Sequence, residues 1–251
     1  MTLPASGQIT LNQVNVELSL SGTAQIGMGD AAVRGLFNVS SGQITMANGY
    51  GKSAYIPTIS AGIYRPLAGT VSHTTSSPSP WGIYYRRTAL AYCISKAEID
   101  AVTGGGRGRI VAMGMNQPVS NPLYATKPSY SIALCHVPNG TNTTNVNSSS
   151  VTNRSVVFGP TNLTQAVTTT SSWQHTTSPS FSYNGVDGLG VIFAWGQVQP
   201  SWNRSGVVQT TTSGRMYYIW TDSAGTYTTT QTMSGYKTYR PSTFLYFNGS
   251  V

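Results

Sequence analysis

The spacing of apolar positions changes along this chain and divides it into parts. Early on, Leu11, Val14 and Leu18 recur at three- and four-residue intervals, which puts them on one face of a helix. Thr10 and Gln13 stand three apart at its start, as in a capping box, where each side chain satisfies an otherwise free N–H. A second helix is predicted after Asp30, which stands where a cap belongs, with Val33, Leu36 and Phe37 as its apolar side. Two copies of Gly-Gln-Ile-Thr, at 7–10 and 42–45, bracket these helices. They read either as paired strands or as equivalent lead-ins to a helical turn, and the cap at Thr10 favours a lead-in for the first copy. This α+β block, residues 1–54, is too short to bury a core by itself. Such a segment ahead of a large domain suits a docking element.

Residues 55–80, with Pro57, Pro66, Pro78 and Pro80, read as a linker followed by first strands. From Trp81 to the end the pattern is that of strands. Runs at 81–85, 89–94, 109–115, 130–136, 155–158, 180–183, 190–195, 215–220 and 243–247 are separated by Gly, Pro and Asn clusters at sandwich-like intervals. One short helix interrupts them. Ser95 and Glu98 have capping-box spacing, and Gly104-Gly105-Gly106 stops the turn. The fold class predicted is mainly β, a β-sandwich over 81–251 behind the small N-terminal segment. Residues 139–153, almost wholly Asn, Thr and Ser, read as a long exposed loop.

Composition sharpens this. Charged residues are only 8% of the chain, against about a quarter in ordinary soluble domains. Long helices rich in Glu and Lys are excluded, and hydroxyl and aromatic strands are favoured. Such a balance suits secreted adhesive modules and virion proteins better than cytoplasmic enzymes. The net charge is +8. Residues 1–54 sum to zero, with Glu17 and Asp30 against Arg34 and Lys52, so all the excess lies beyond them. It reads as scattered solubilising charge or as attraction to an anionic partner. Without a recognition helix, zinc spacing or RNA-binding motif, nucleic acid is not an expected partner. No apolar run is long enough to cross a bilayer, so membrane insertion is not expected. The N-terminus lacks the basic and apolar regions of an export signal, which points to a protein made in a cytosol and released by lysis. Cys93 and Cys135 sit in apolar strand-like runs and read as buried thiols, with a disulfide left open.

Two resemblances add to this. Residues 3–53 carry Pro4-x-Ser6-Gly7-x-Ile9, Val14-Asn15-x-Glu17-Leu18, Ala24-Gln25-Ile26, Asp30-Ala31-Ala32-Val33-Arg34-x-Leu36-Phe37, Ser41-Gly42-x-Ile44-x-Met46 and Tyr50-Gly51-Lys52-Ser53. In these the block resembles an N-terminal segment of bacteriophage structural proteins, the tail-fibre, neck and appendage components. It departs at Gly27, where a serine helix cap would be expected. The later part, through Tyr84-Tyr85-Arg86, Ser95-x-x-Glu98-Ile99, Gly108-x-Ile110-x-x-Met113, Asn121-Pro122, Tyr130-Ser131-Ile132-x-Leu134, Trp173, Phe181-x-Tyr183-Asn184-Gly185-x-Asp187-Gly188-Leu189 and Tyr239-Arg240-Pro241, looks like a β-sandwich module of bacterial surface proteins. The first resemblance implies localisation to a virion, with tail, neck or baseplate proteins as partners. Docking would run through Ile9, Leu11, Val14, Leu18, Val33, Leu36, Phe37, Ile44 and Tyr50. The second implies a jelly-roll-like sandwich for display or adhesion, and no enzyme.

The residues themselves offer little chemistry. His73, His136 and His175 share no ligand spacing, and Cys135 and His136, adjacent on a strand, point to opposite faces. Glu98 and Asp100 diverge on their helix, Glu98 as a cap, and Asp187 reads as a turn residue after Asn184-Gly185. No cofactor, metal or catalytic residue is expected. Trp202-Asn203-Arg204 sits in a polar loop, where an exposed Trp flanked by Asn and Arg stacks on a sugar or else covers the sandwich edge. Tyr227, in a Thr-rich stretch read as a long hairpin with Tyr236 and Tyr239, is a second candidate for ligand or subunit contact. The leading expectation is a non-enzymatic virion appendage that contacts host-surface polysaccharide or other fibre proteins. The alternatives are a capsid or collar decoration protein and, last, a polysaccharide depolymerase. Appendages are often trimeric, but no heptads or β-helix repeats fix an oligomeric state.

Overall fold

The structure is a computed structural model. It describes residues 3–18, 20–39, 41–52, 58–68, 71–73, 87–116, 126–146, 152–164, 172–196, 207–209, 214–221, 223 and 225–249. The chain divides into two compact units, 1–57 and 58–251.

In the small unit, helix α1 (Leu11–Glu17) starts on the Thr10 cap: the Gln13 N–H donates to Thr10 Oγ1 at 3.2 Å, and the Thr10 N–H donates to Gln13 Oε1 at 2.8 Å. The second copy repeats the device. Thr45 N–H donates to Asn48 Oδ1 at 2.8 Å and opens a single 3-10 turn, Met46–Gly49. Both Gly-Gln-Ile-Thr copies are therefore lead-ins to helical turns. Asp30 precedes helix α2 (Ala31–Phe37) without capping it. Its carboxylate instead accepts the Gly27 N–H at 2.8 Å, closing the turn before the helix. The expectation that this block buries no core of its own is corrected. Leu3, Ile9, Val14, Val33, Leu36 and Phe37 are buried together, with Leu18, Ile26 and Ile44 packed against them. The unit manages this at its size because its ends are clasped: Leu3 N–H donates to Lys52 O, and Gly51 N–H to Pro4 O.

The large unit is a β-sandwich. In chain order its strands are β1 (Gly62–Leu67), β2 (Val71–His73), β3 (Arg87–Ile94), β4 (Gly108–Asn116), β5 (Thr126–Val137), β6 (Thr152–Thr164), β7 (Ser172–Tyr183), β8 (Gly188–Trp195), β9 (Val207–Gln209), β10 (Met216–Thr221), β11 (Gly235–Lys237) and β12 (Thr243–Phe247). Helix α3 (Lys96–Thr103) follows β3. One sheet has the order β1-β12-β4-β7 and the other β11-β10-β3-β8-β5-β6, with β2 and β9 as a separate ribbon. Setting aside β10, β11 and the ribbon, the remaining eight strands pair first with last: β1 with β12, β3 with β8, β4 with β7 and β5 with β6, all antiparallel. That is one long hairpin rolled into two sheets, the jelly-roll order.

The main core lies between the sheets and includes Leu90, Tyr92, Ile110, Met113, Ile132, Phe193, Trp195 and Leu245. The outer face of the larger sheet is also covered. Ala89, Ala91, Cys93, Ala133, Cys135, Ile192 and Ala194 meet Val146, Tyr227 and Met233 there. Buried on both faces, β8 reads as an unbroken apolar run, Gly-Leu-Gly-Val-Ile-Phe-Ala-Trp. This also corrects the reading of the 139–153 stretch as an exposed loop, at its described residues 139–146. Val146 is fully buried, the Arg154 guanidinium donates to its carbonyl, and Tyr217 Oη donates to Thr143 O at 2.7 Å. Residues 143–146 pack here, with backbone carbonyls of Thr143 and Val146 satisfied by Tyr217 and Arg154. Both cysteines are free and flank Gly190, the residue opposite each of them. A methyl group at Gly190 would lie 2.5 Å from the Cys135 sulfur, so the glycine gives that thiol its room.

Candidate functional site

In the small unit the nine expected docking residues separate into two groups. Ile9, Val14, Val33, Leu36 and Phe37 are buried in the unit's own core, and Leu18 and Ile44 pack against it. They hold the unit together and do not form its surface, because a unit this small has few other apolar side chains to bury. Leu11 and Tyr50 stay outside, as do Val16 and Leu20, which the sequence reading passed over. Val16 is two residues from Val14 and so faces the other side of the helix, a signal present in the sequence. Tyr50 is held in position by its hydroxyl, which donates to Gly7 O at 2.6 Å.

In the large unit, Trp202, Asn203 and Arg204 lie outside the described residues. Tyr227 is not an exposed platform. It is buried on the outer face of the larger sheet, with the Arg87 guanidinium 4.6 Å above its ring. It does line a pocket of about 290 Å³, between residues 226–229, Ser129 and Ser131 of β5, and Val156 and Pro160 of β6. The backbone under this pocket is irregular. Pairing of β5 with β6 shifts register between Lys127 and Tyr130, Tyr130 and Ile132, and Ile132 and Ala133. Ser129 has a φ of 52°, and Gly159 a φ of 75°, where an added Cβ would collide with the Tyr130 carbonyl. Bulges of this kind turn side chains away from the regular pleat and recur beside binding sites. No pairing rule in the sequence announces them. A second cleft, more open and about 520 Å³, lies where Ser95 and Lys96 meet Asn139, Thr141 and Val186.

The described acids of the sandwich are committed to structure. Glu98 accepts two hydrogen bonds from Arg240, at 2.9 and 2.6 Å, and one from the Ser95 N–H at 2.9 Å. Burial pushes its carboxyl up, but Arg240 and Ser95 outweigh burial and hold it below the usual range. Lys96 pairs with Asp100 one turn along α3. Asp187 accepts from the Asn184 side-chain amide at 2.7 Å, and its N–H donates to Asn184 Oδ1. Arg240 is used inward as well and donates to Cys93 O at 2.8 Å, whereas Arg215 lies 4.5 Å over the ring of the exposed Tyr236.

His136, His175 and the two thiols are equally internal. His136 accepts the Asn184 N–H and packs 4.9 Å from Phe181 between the sheets, while Cys135 faces outward, as strand alternation requires. Burial pushes the Cys93 and Cys135 thiols up to about 12 and about 11, which leaves them protonated and unreactive. At one place inside the sandwich, Lys127 lies 5.2 Å from the Trp195 ring, and Tyr130 packs 5.7 Å from His175. Burial pushes the Lys127 ammonium down to about 7. It pushes His175 down to about 3, with the Lys127 charge as the second cause. Among the described residues no three His, Cys, Asp or Glu side chains gather to hold a metal, and no helix is long and apolar enough to cross a membrane. Compared with protein-family models, curated proteins and solved structures, the chain matches none of them.

Proposed function

We propose that this protein is a non-enzymatic structural component of a bacteriophage virion. The small unit docks onto a tail, neck or baseplate protein, and the jelly-roll sandwich is displayed to contact host-surface glycan. The observation that carries this reading is the division of labour in the small unit. Its core is closed by Ile9, Val14, Val33, Leu36 and Phe37, yet Leu11, Val16, Leu20 and Tyr50 remain outside. A unit that has already satisfied its own core keeps four large apolar side chains partly exposed, on more than one side of α1, and these offer apolar surface for attachment. The sandwich supports the display half in two ways. Its strand order is the one used by viral capsid and lectin domains, and its described carboxylates are tied to Arg240, Lys96 and Asn184, which argues against a glycosidase pair.

The full-length chain carrying Leu11→Asp and Val16→Asp together tests the docking half. Both side chains are exposed, so folding is expected to be unchanged. Particle-bound protein should fall about tenfold or more, since two charges are placed in an apolar contact. Incorporation equal to that of the unaltered chain would show that these two side chains do not dock.

A further inference from the structure

We propose that the outer face of the smaller sheet binds an acidic polysaccharide, with Arg107 and Arg109 as the principal contacts to its charged groups. This rests on the display reading and narrows the host glycan to one that carries carboxylate, sulfate or phosphate. The four strands of this sheet, β1, β12, β4 and β7, contain no Asp or Glu. The described acids of the sandwich are engaged elsewhere, Glu98 with Arg240, Asp100 with Lys96 and Asp187 with Asn184. Among the described residues, neither Arg107 nor Arg109 has a carboxylate within ion-pair distance, and Arg109 Nε is buried without a hydrogen-bond partner. Their charge is left for a ligand.

Gly108, between the two arginines, sets their direction. A Cβ on Gly108 would lie 2.8 Å from the Phe247 ring, so that position faces the core. Strand alternation then turns Arg107 and Arg109 outward together, with Cα atoms about 6–7 Å apart. Arg107 is exposed and Arg109 half-buried. Both stand on fixed backbone: the Ile59 N–H donates to Arg107 O at 2.7 Å, and the Asn248 N–H to Arg109 O at 3.2 Å. Two cations this close repel each other, and an anion seated between them removes the repulsion. The guanidinium fork matches the paired oxygens of a carboxylate, sulfate or phosphate.

A third guanidinium on the same face points to a chain and not to a single ion. Tyr64, Leu245 and Met113 form a cross-strand row that belongs to the core, so the next row, Ile63, Tyr246 and Ala112, lies on the outer face. Phe244 shares that face, and Arg65, exposed on β1, lies 5.8 Å over its ring. Phe244 pairs with Gly114, five residues along β4 from Arg109. Arg65 therefore stands about 16 Å along the strands and about 10 Å across them from Arg109. One small ion cannot reach both, whereas a polymer with repeated charges can.

The test uses the full-length chain against immobilised dextran sulfate, polygalacturonate, unsubstituted dextran and double-stranded DNA, read by biolayer interferometry. Dextran sulfate or polygalacturonate should bind, more weakly as salt rises, and dextran should not. Arg107→Gln together with Arg109→Gln should weaken that binding about tenfold or more. Arg215→Gln together with Lys237→Gln removes the same charge from the larger sheet and its approach, and should weaken it far less. Ser182 is the exposed cross-strand partner of Arg109. Ser182→Glu keeps both arginines, sets a carboxylate beside them and should also weaken binding, which guards against misfolding of the double variant. Binding of neither acidic polymer, binding unchanged by the Arg107 and Arg109 substitutions, or an equal loss in the Arg215 and Lys237 variant would each overturn the site. DNA bound more tightly than either polysaccharide would overturn the ligand class. Those results would leave particle attachment untouched, because the Leu11 and Val16 variant reads that half separately. A neutral host glycan bound in place of an acidic one would overturn this proposal and keep the display function.

Discussion

Arg240→Ala is expected to cost the sandwich about 3–5 kcal/mol, the range for breaking a buried ion pair from one side. Arg240 is wholly inaccessible to solvent and the Glu98 side chain is 15% exposed, and their bonds of 2.6 and 2.9 Å hold the start of α3 to the segment that leads into β12. Removing the guanidinium leaves the Glu98 carboxylate with Ser95 alone and deprives the Cys93 carbonyl of its donor. The sign of the pH dependence follows from Glu98. Its carboxyl is held below its ordinary value in the folded chain. The stability it contributes is therefore complete above the ordinary carboxylate range and is lost as pH falls through the lower, folded value. Denaturant melts of the unaltered chain should show that loss in acid, and Arg240→Ala melts should show much less of it. A cost below about 1 kcal/mol, the level of an exposed pair, would mean that the pair holds nothing together.

Lys127→Met is expected to do the opposite and stabilise the protein. Lys127 is 2% exposed and lies among Trp195, Tyr130 and His175, and burial pushes its ammonium down to about 7. With the folded value below the unfolded one, the unfolded chain binds the extra proton between about pH 7 and the ordinary lysine range. Stability of the unaltered protein should then rise with pH across that window, and the penalty should be fully present below it. Methionine matches the length of the side chain without its charge. The gain at pH 6 should be roughly 2–4 kcal/mol and should shrink toward pH 10. The His175 ring reports on the same event, because the Lys127 charge is one of the causes that lower it. Its NMR titration should move up in the variant. A variant less stable than the parent at pH 6, or a gain that does not change with pH, would refute this account of Lys127.

The fold was legible wherever hydrophobic pattern alone decides it. The runs at 190–195 and 243–247 became β8 and β12, and the Thr10, Ser95 and Gly104 signals became the cap of α1 and both ends of α3. The jelly-roll order came only with the resemblance, because pairing of the first strand with the last is not encoded in any short window. Misreadings have one cause in common, contacts between distant segments. Residues 139–146 looked unable to leave water, but the sheet under them buries Val146 and supplies partners for their backbone. Seven of the nine expected docking residues are apolar side chains that the small core claims first, which leaves Leu11 and Tyr50 exposed beside Val16 and Leu20. The pocket was invisible for the same reason. Tyr227 stood out in the sequence, but nothing local indicated that residues 226–229 lie across the bulged part of β5 and β6.

The central claim is that this chain attaches through residues 1–57 and displays residues 58–251. Electron cryo-microscopy of particles carrying the full-length protein tests it most directly. The claim predicts density for the small unit seated on a tail, neck or baseplate protein, with Leu11 and Val16 in the contact and the sandwich directed outward. Particles that lack the protein, or that hold it through the sandwich with the small unit free in solvent, would contradict it.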